Sequence, residues 1–433
     1  MTEINAFDVL SDRGFVKQCT DEESLSKLMG EKNLTVYCGY DPTADSLHVG
    51  HLFTVKALKH LEDAGHRIII LLGGGTAMVG DPTGKSEMRQ MLTRERINAH
   101  CERFKEQVGR FLDVEGGKTL VVNNADWLLE LNYLDFLRDI GRHFSVNRML
   151  TAEAYKQRLE RGLSFIEFNY QLLQAYDFLE LNRKYECQLQ LGGDDQWSNI
   201  LAGLELCRRL EKEQVYGLTT PLLTTATGEK MGKTVGGALW LEADKLKPYD
   251  FYQYWVNVHD DDVVKLLGFY TFLPMAEIRK VAGVEGRDLN NAKSILAYEV
   301  TKWVHGKAAA CEAHQAALAA FGGRAIVETL LPSSDLPRDA GSSVSKIPTT
   351  TIEFSKEFGL LEVLVMTKLA GSKSEARRLI QQGGIRVNDE KISDVYFKLL
   401  SEHFVSGVAT LRAGKKKIHR LNCGNEHGGG DQD

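Results

Sequence analysis

Residues 37–51 constrain the fold more than any other stretch of this sequence, because they join a β-like run to a helical one through a polar turn. Residues 5–30 are expected to be helical. The run 34–37 is typical of a strand, and the apolar periodicity of residues 52–61 is typical of a helix. Asp45 or Ser46 is expected to cap that helix. In an open α/β sheet, such turns lie at the carboxyl ends of the strands, where ligands bind.

The start of this helix carries two histidines. His48 and His51 are three residues apart, so they share one face of the first turn, and the small residue Gly50 lies between them. Two imidazole donors beside a helix N-terminus are suited to phosphate.

These residues resemble a known family. His-Val-Gly-His at 48–51 is similar to the His-Ile-Gly-His signature of class I aminoacyl-tRNA synthetases, and the flanking 37–47 resembles bacterial-type tyrosyl-tRNA synthetases. Downstream, Lys230-Met231-Gly232-Lys233-Thr234 resembles the second class I signature, Lys-Met-Ser-Lys-Ser. Two lysines three apart on a Gly- and Thr-containing loop can close over an anion. The resemblance implies that L-tyrosine is activated with ATP and transferred to tRNA(Tyr).

The run 67–72 is continuously apolar, which is typical of a strand buried on both faces of a parallel sheet. The glycine-rich stretch 73–86 follows it. It fits neither the dinucleotide-binding pattern nor the P-loop pattern, since Met78 and Val79 stand where glycines are required. Its glycines are explained either by tight turns or by a site that includes Asp81.

A polar stripe marks the helix predicted at 165–179. Tyr170, Gln174 and Asp177 stand at positions i, i+4 and i+7 of an otherwise apolar helix. They form either a buried hydrogen-bonded cluster or a pocket for a small polar and aromatic ligand. A second strand-to-helix turn, with adjacent glycines, is predicted at 187–197.

The resemblance implies a role for residues in each of these segments. The tyrosine site would contain Tyr37, Gly39, Asp41, Asp81, Tyr170, Gln174, Asp177, Gln190 and Gln196. Asp177 and Tyr37 would contact the phenol, and Tyr170, Gln174 and Asp81 the ammonium group. The ATP site would contain Gly50, His51, Gly193, Asp195 at the ribose, Met231, Lys233 and Thr234. Catalysis would use His48, His51, Lys230, Lys233, Thr43, Lys85 and Arg89.

Composition excludes several other classes. The formal net charge of −6 is not typical of a protein that binds nucleic acid over its whole surface, so tRNA would have to bind at local basic patches. The 7 cysteines are scattered without a C-x-x-C pair, which argues against a disulfide framework or a structural zinc site. No bilayer-spanning run or targeting segment is recognised, so a cytoplasmic location is expected. ATP is expected as a substrate with Mg²⁺, without a prosthetic group or a protein metal ligand.

The predicted fold class is α/β, with a Rossmann-like parallel-sheet catalytic domain at 1–245 that includes a helical insertion at about 125–165. In the resembled family this insertion contributes to a homodimer interface. Residues 246–331 are expected to be all-helical, and the resemblance implies that they form the anticodon-binding domain. A linker at 332–351, a small α+β domain at 352–420 and a disordered tail at 421–433 would follow. The small domain resembles S4-type RNA-binding modules. Between 368 and 420 it holds 12 Lys/Arg against 5 Asp/Glu, which suits a phosphate backbone.

Three alternatives stay open from the residues alone. A tryptophanyl synthetase shares the catalytic fold, although Tyr37 with Asp177 and the C-terminal module argue against it. An RNA-binding regulator on a synthetase body is countered by the two intact signatures. An unrelated ATP–pyrophosphate enzyme would not need the basic terminal module.

Overall fold

The first 220 residues build a six-stranded sheet around the strand Thr35–Tyr40 (β2). The structure is a computed structural model, and it describes residues 5–82, 92–151, 155–156, 159–160, 162–228, 231–234, 237–321, 326–338, 349–353, 358–388, 390–404, 407–414 and 417–424. Two units are distinguished by their internal contacts, and they comprise Met1–Lys307 with Glu328–Leu336, and Ala308–Val327 with Pro337–Asp433.

The strand order across this sheet is β1-β6-β5-β2-β3-β4. All neighbouring pairs are parallel except the one between β1 and β6. The chain runs outward from β2 to β3 and β4, and then returns to place β5 on the other side of β2. This change of direction makes the carboxyl end of β2 a topological switch point, the position at which ligands bind in open α/β sheets. The strands are Gln18–Cys19 (β1), Thr35–Tyr40 (β2), Arg67–Leu72 (β3), Thr119–Asn123 (β4), Cys187–Gly193 (β5) and Tyr216–Thr220 (β6).

Burial of the central strands on both faces confirms the prediction of a parallel-sheet α/β fold. Ile68, Ile69 and Ile70 of β3 are fully buried although they point alternately to opposite faces. Helix Val49–Asp63 packs against β3, and helices Tyr170–Tyr185 and Trp197–Leu210 pack against β5 and against each other.

Helices make up the remainder of the first unit. Three short helices with defined bounds lie in the described part of the predicted insertion. Helices Phe165–Phe168 and Tyr170–Tyr185 come next, and four more helices follow the last strand of the sheet. The α-helices of this unit are Ala6–Asp12, Glu22–Glu31, Val49–Asp63, Arg94–Val108, Ala125–Leu128, Tyr133–Asp139, Val146–Leu150, Phe165–Phe168, Tyr170–Tyr185, Trp197–Leu210, Pro248–Val256, Val263–Tyr270, Met275–Ile278 and Gly286–His305. None of the helices in the described part of the chain is long and apolar enough to cross a membrane.

The second unit has its own sheet and core. Its five-stranded sheet has the order β12-β11-β14-β15-β9, and a two-stranded sheet pairs β10 with β13. Ser372 caps its helix Lys373–Gln381 by accepting from the Glu375 N–H. The elements are Lys307–Phe321, Thr349–Glu353 (β9), Phe358–Gly359 (β10), Leu360–Met366, Lys373–Gln381, Ile385–Val387 (β11), Glu390–Ile392 (β12), Lys398–Leu399 (β13), Val408–Ala413 (β14) and Lys417–Gly424 (β15). The first unit also contains a small antiparallel pair, in which Lys233–Thr234 (β7), at the end of the second signature, pairs with Gly237–Ala238 (β8).

Two expectations about local structure are wrong. Neither Asp45 nor Ser46 caps the signature helix, because His48 does so. The Asp45 carboxylate instead accepts from the Lys245 ammonium at 2.7 Å, and the Ser46 hydroxyl donates to the Leu47 carbonyl. Residues 5–30 are not only helical, since they include β1, whose two residues give no periodic signal and exist as a strand by pairing with β6.

The predicted domain boundaries stay predictions. The boundary at residue 245 lies inside the first unit. Much of the predicted linker, at 339–348, and most of the predicted tail, at 425–433, lie outside the described residues.

A lysine is buried in the core of the first unit. Lys56 is fully buried, and its Nζ lies 3.0 Å from the ring centroid of Phe272 and 3.7 Å from that of Trp303. Burial lowers the pKa of this ammonium well below its usual range, and the charge of Arg13 lowers it further. Since the folded state then binds fewer protons than the unfolded chain, Lys56 destabilises the fold below the unfolded pKa of about 10.4.

We therefore expect Lys56→Met to raise the melting temperature, with a larger gain at about pH 7 than at about pH 10, where the unfolded lysine begins to lose its proton. Lys59→Met is the matched control, because Lys59 is partly exposed and paired with Glu62 and Asp63. Thermal unfolding at both pH values measures the effect. A gain that does not depend on pH would contradict the neutral, buried state of Lys56.

Candidate active site

The signature histidines fold over the N-terminus of their own helix. His48 Nδ1 accepts from the Gly50 N–H at 3.1 Å, and His51 Nδ1 accepts from the His48 N–H at 3.2 Å. The two rings stack with centroids 3.9 Å apart. Because each Nδ1 accepts, each neutral ring carries its hydrogen on Nε2, so the pair offers two Nε2–H donors beside a helix N-terminus.

Gly50 allows this arrangement. A Cβ at residue 50 would lie 2.9 Å from His48 Cε1, which is closer than real Cβ contacts. An alanine would therefore displace the His48 ring from its cap.

The chain that follows the second signature is hydrogen-bonded to the first. The Val49 N–H donates to the Leu239 carbonyl at 3.0 Å, and the Leu241 N–H donates to the Leu47 carbonyl at 3.0 Å. Leu239 N–H in turn donates to the Gly232 carbonyl at 2.8 Å. The backbone of the two signatures is thus brought together, as the resemblance implies.

Within the second signature, the structure describes part of the site. Met231 is buried and its N–H donates to the Leu223 carbonyl at 2.9 Å. Lys233 and Thr234 are described as backbone in β7. The positions of Lys230, Lys85 and Arg89 lie outside the described residues.

Two buried polar side chains on the neighbouring central strands β2 and β5 have atoms without a hydrogen-bond partner in the described part of the chain. Tyr37 on β2 pairs in register with Gln190 on β5. Both side chains are buried, and within the described part of the chain neither Tyr37 Oη nor Gln190 Oε1 has a hydrogen-bond partner. Buried polar groups without partners are costly. A ligand with polar groups is one way to satisfy them.

Asp177 lies near the Tyr37 hydroxyl and is held by two donors. Asn124 Nδ2 donates to Asp177 Oδ2 at 2.9 Å, and Trp127 Nε1 donates to Oδ1 at 2.8 Å. Burial raises the pKa of Asp177 to about 8, while these two hydrogen bonds oppose that rise by favouring the ionised form. Burial and the charge of Asp177 likewise raise the pKa of Tyr37 well above its ordinary value.

A second polar cluster contains two carboxylates. Asp41 accepts from the hydroxyl of Thr76 at 2.7 Å and from that of Tyr170 at 2.9 Å. Asp81 accepts from Gln196 Nε2 at 2.9 Å. Burial, followed by the charges of Asp41 and Asp81, raises the pKa of Tyr170 well above its ordinary value. The concentration of negative charge suits a cationic group such as an ammonium.

The polar stripe on helix Tyr170–Tyr185 belongs to this cluster. Asn199 Nδ2 donates to Gln174 Oε1 at 3.0 Å and to Gln196 Oε1 at 3.1 Å. Each residue of the stripe is hydrogen-bonded to a residue of another element, as the first alternative left open by the sequence requires. The pocket for a small ligand stays a prediction.

The remaining predicted residues lie at the carboxyl edge or just before it. Gly193 ends β5, where a Cβ would lie 2.6 Å from Asp195 Oδ1. Gly39 lies in β2. Thr43 is exposed, and its N–H donates to the Asp41 carbonyl at 2.8 Å.

Sequence reasoning missed four residues that organise these clusters. Asn124, Trp127, Thr76 and Asn199 all contribute hydrogen bonds to predicted site residues. Asn124 also donates to the Thr76 hydroxyl at 3.0 Å, which links the two clusters. An available signal was the Asn123-Asn124 pair, which directly follows a predicted strand and so lies at the ligand-binding edge.

Known proteins resemble this chain along nearly its whole length. Residues 29–322 match the family "tRNA synthetases class I (W and Y)", and residues 339–421 match the "Tyrosine--tRNA ligase SYY-like C-terminal domain". The tyrosine–tRNA ligase of Clostridium botulinum strain 657 is 52% identical over 96% of this chain and 99% of its own. The chain belongs to the tyrosyl-tRNA synthetase family.

The chain is also similar to solved structures of tyrosyl-tRNA synthetases. A C-terminally truncated mitochondrial tyrosyl-tRNA synthetase from Aspergillus nidulans matches with a TM-score of 0.63 and 32% identity, over 72% of this chain and 92% of its own. The Archaeoglobus fulgidus enzyme, solved with L-tyrosine, shares the fold with a TM-score of 0.54 at 20% identity, over 71% of this chain and 99% of its own.

The resemblance implies that Asp177 binds the substrate phenol, and on that assignment its pKa predicts how tyrosine binding responds to pH. Since Trp127 favours the carboxylate form, Trp127→Phe should move the pH midpoint of the tyrosine KM upward from its wild-type value. ATP–pyrophosphate exchange at varied tyrosine and pH measures that midpoint. Trp255→Phe is the control, because Trp255 is buried but its Nε1 has no partner within the described residues. Equal midpoints in wild type and Trp127→Phe would contradict the electrostatic coupling.

Proposed function

We propose that the chain activates L-tyrosine with ATP at the carboxyl edge of its sheet and then transfers tyrosine to the 3′ end of tRNA(Tyr). The observation that carries this proposal is the unpartnered Tyr37 hydroxyl beside Asp177, with the two carboxylates of Asp41 and Asp81 in the adjoining polar cluster. One end suits a phenol and the other suits an ammonium group.

On the tyrosine side, Tyr37 and Asp177 bind the substrate phenol, and Gln190 lines the same pocket. Tyr170, Gln174, Asp41 and Asp81 surround the ammonium group, and Gln196 lies near the carboxylate. Gly39 leaves room on the floor of the site. Phenylalanine would leave the buried Tyr37 hydroxyl without a partner, so it is rejected.

On the ATP side, His48 and His51 donate from Nε2 to the phosphates, and Thr43 contacts the γ-phosphate. Gly50 and Gly193 leave space for the nucleotide, and Asp195 binds the ribose. Met231, Thr234 and the lysines at 230 and 233 close over the phosphates, with Lys85 and Arg89 contributing further positive charge.

The first step is an in-line attack of the tyrosine carboxylate on the α-phosphorus of ATP, which releases pyrophosphate and forms tyrosyl-adenylate. The tRNA terminal hydroxyl then attacks the activated carbonyl and releases AMP. No side chain acts as a nucleophile, so the rate derives from positioning and from donors that stabilise the shifting phosphate charge.

ATP reaches the site as its Mg²⁺ complex, in which phosphates and waters hold the ion. The donor chemistry agrees with this, because Nε2–H groups contact phosphate oxygens and do not ligate a cation in that form. The basic 352–420 module, an S4-like domain by resemblance, contacts the tRNA backbone. Cytoplasmic location stays a prediction that depends on this function.

Exchange of pyrophosphate into ATP, measured with tyrosine, phenylalanine and tryptophan separately, tests the proposal. Tyrosine alone should support exchange. Tyr37→Phe should lower kcat/KM for tyrosine by roughly 10-fold or more, since a hydrogen bond to the phenol is lost. Exchange with tryptophan in place of tyrosine would refute the pocket assignment, and no exchange from folded protein would refute the catalytic proposal.

We also propose that the chain is a homodimer. Large apolar side chains that are exposed concentrate between residues 129 and 166, and they are Leu129, Tyr133, Leu134, Leu137, Val146, Leu159, Phe165 and Ile166. A surface this rich in exposed apolar side chains is typical of a protein–protein interface.

The dimer proposal predicts the effect of charge on this surface. Leu134→Asp combined with Phe165→Asp should shift the sedimenting species from twice the chain mass to the single chain mass of 48.4 kDa. Tyr396→Asp is the control, because Tyr396 is 80% exposed but lies in the second unit. A dimer that survives the double substitution would place the interface elsewhere.

A further inference from the structure

One face of helix Arg94–Val108 follows the irregular loop between β2 and the signature helix. His100, Arg103, Phe104 and Gln107 stand at i, i+3, i+4 and i+7, so they share this face. Phe104 packs edge-on against the His51 ring with centroids 5.7 Å apart. The helix thus packs alongside the loop as far as the histidine pair.

The loop depends on this helix for its hydrogen bonds. Residues 42–47 are neither helix nor strand, so no regular backbone ladder holds them. Buried backbone groups without a ladder need partners from side chains, from other backbone segments or from water. Pro42, Ser46 and Leu47 are all buried.

Gln107 supplies a partner at the end of the loop. Its Oε1 accepts from the Leu47 N–H at 2.8 Å, and the side chain is 3% exposed. Leu47 immediately precedes His48.

His100 supplies a partner at the start of the loop. Its Nδ1 lies 3.0 Å from the Pro42 carbonyl, and since a carbonyl can only accept, His100 donates. Pro42 immediately precedes Thr43. Both side chains therefore hold the residue just before a proposed phosphate ligand.

We propose that His100 and Gln107 are positioning residues that set the separation between Thr43 and His48 for the γ-phosphate of ATP. Seven helical residues span about 10.5 Å, so the helix acts as a rigid spacer with one hydrogen bond at each end. This inference rests on the proposed roles of Thr43 and His48. Neither positioning residue contacts the substrate, and both act through the loop backbone.

The other contacts of the loop differ in strength. Arg103 NH1 lies 3.8 Å from Asp45 Oδ2, and both side chains are substantially exposed. Exposed pairs of this kind contribute about 0–1 kcal/mol. The Lys245 ammonium also lies 2.7 Å from the partly exposed Asp45 carboxylate, and the Leu241 N–H donates to the Leu47 carbonyl. The hydrogen bonds of His100 and Gln107 are the contacts that buried side chains of helix Arg94–Val108 make with the loop backbone.

The experiment compares His100→Leu, His100→Asn and Gln107→Met with the wild-type chain in tyrosine-dependent ATP–pyrophosphate exchange. We expect His100→Leu and Gln107→Met to lower kcat by about 10- to 100-fold, because misplacement by about 1 Å has effects of that order. The tyrosine KM should stay within about twofold of wild type, as the tyrosine pocket is not touched. His100→Asn should recover most of the rate, since its Nδ2 can donate in place of Nδ1.

A matched control separates positioning from simple stability. His66 is buried, and its Nδ1 accepts from the Leu34 N–H at 3.0 Å, at the opposite end of β2 from the loop. His66→Leu removes a comparable hydrogen bond and should lower the melting temperature without lowering kcat.

A double-mutant cycle with Thr43→Ala tests the route of the effect. Thr43 is exposed, so its truncation leaves the core intact. If His100 acts through Thr43, adding His100→Leu to Thr43→Ala should cause less than the full loss seen in the single variant. The double-mutant cycle does not use Gln107→Met, so it still tests the inference if that variant does not fold.

Three results would overturn the inference. They are a rate loss no larger than that of His66→Leu, an equal rise in the tyrosine KM, or full additivity with Thr43→Ala. Absence of exchange in the wild-type chain is a different result, since it would refute the proposed function itself.

Discussion

The position of β2 between β3 and β5 is the constraint on which the rest of this structure depends. Parallel pairing on both sides buries most of β2 and places the ends of five strands at one edge. The chain leaves β2 toward β3 and later returns to its other side at β5, which makes the end of β2 a switch point where ligands bind in open α/β sheets. Tyr37, the signature turn and the Asp41 carboxylate all lie on or directly after this strand.

The polar clusters at the carboxyl edge of the sheet differ in their charge. Asp177 is buried with its pKa raised to about 8, and the donors Asn124 and Trp127 keep its oxygens satisfied. Asp41 and Asp81 form a more negative cluster around Tyr170. The histidine pair presents donors instead of carboxylates. These three groups of residues complement the phenol, the ammonium group and the phosphate chain of the proposed substrates.

The preformed state of this site reduces what substrate binding must order. Its side chains are linked by short hydrogen bonds, such as Tyr170 to Asp41 at 2.9 Å and Thr76 to Asp41 at 2.7 Å. Donors and acceptors held in this way need little reorganisation during reaction. The helix Arg94–Val108 extends the same principle to the phosphate-facing loop, whose backbone has no ladder of its own.

The sequence by itself determined the α/β class, the order of strands and helices around residues 37–72, and the two signatures, because these depend on local periodicity and short motifs. It also placed Tyr170, Gln174 and Asp177 on one helical face. Only the tertiary structure decided that Trp127 and Asn124 meet Asp177, that His48 caps its own helix, and that β1 exists. The physical reason is separation along the chain: Asn124 and Asp177 are 53 residues apart, and His100 and Pro42 are 58 apart. Such contacts arise when packed elements bring distant polar groups within hydrogen-bond distance, and no local pattern encodes them.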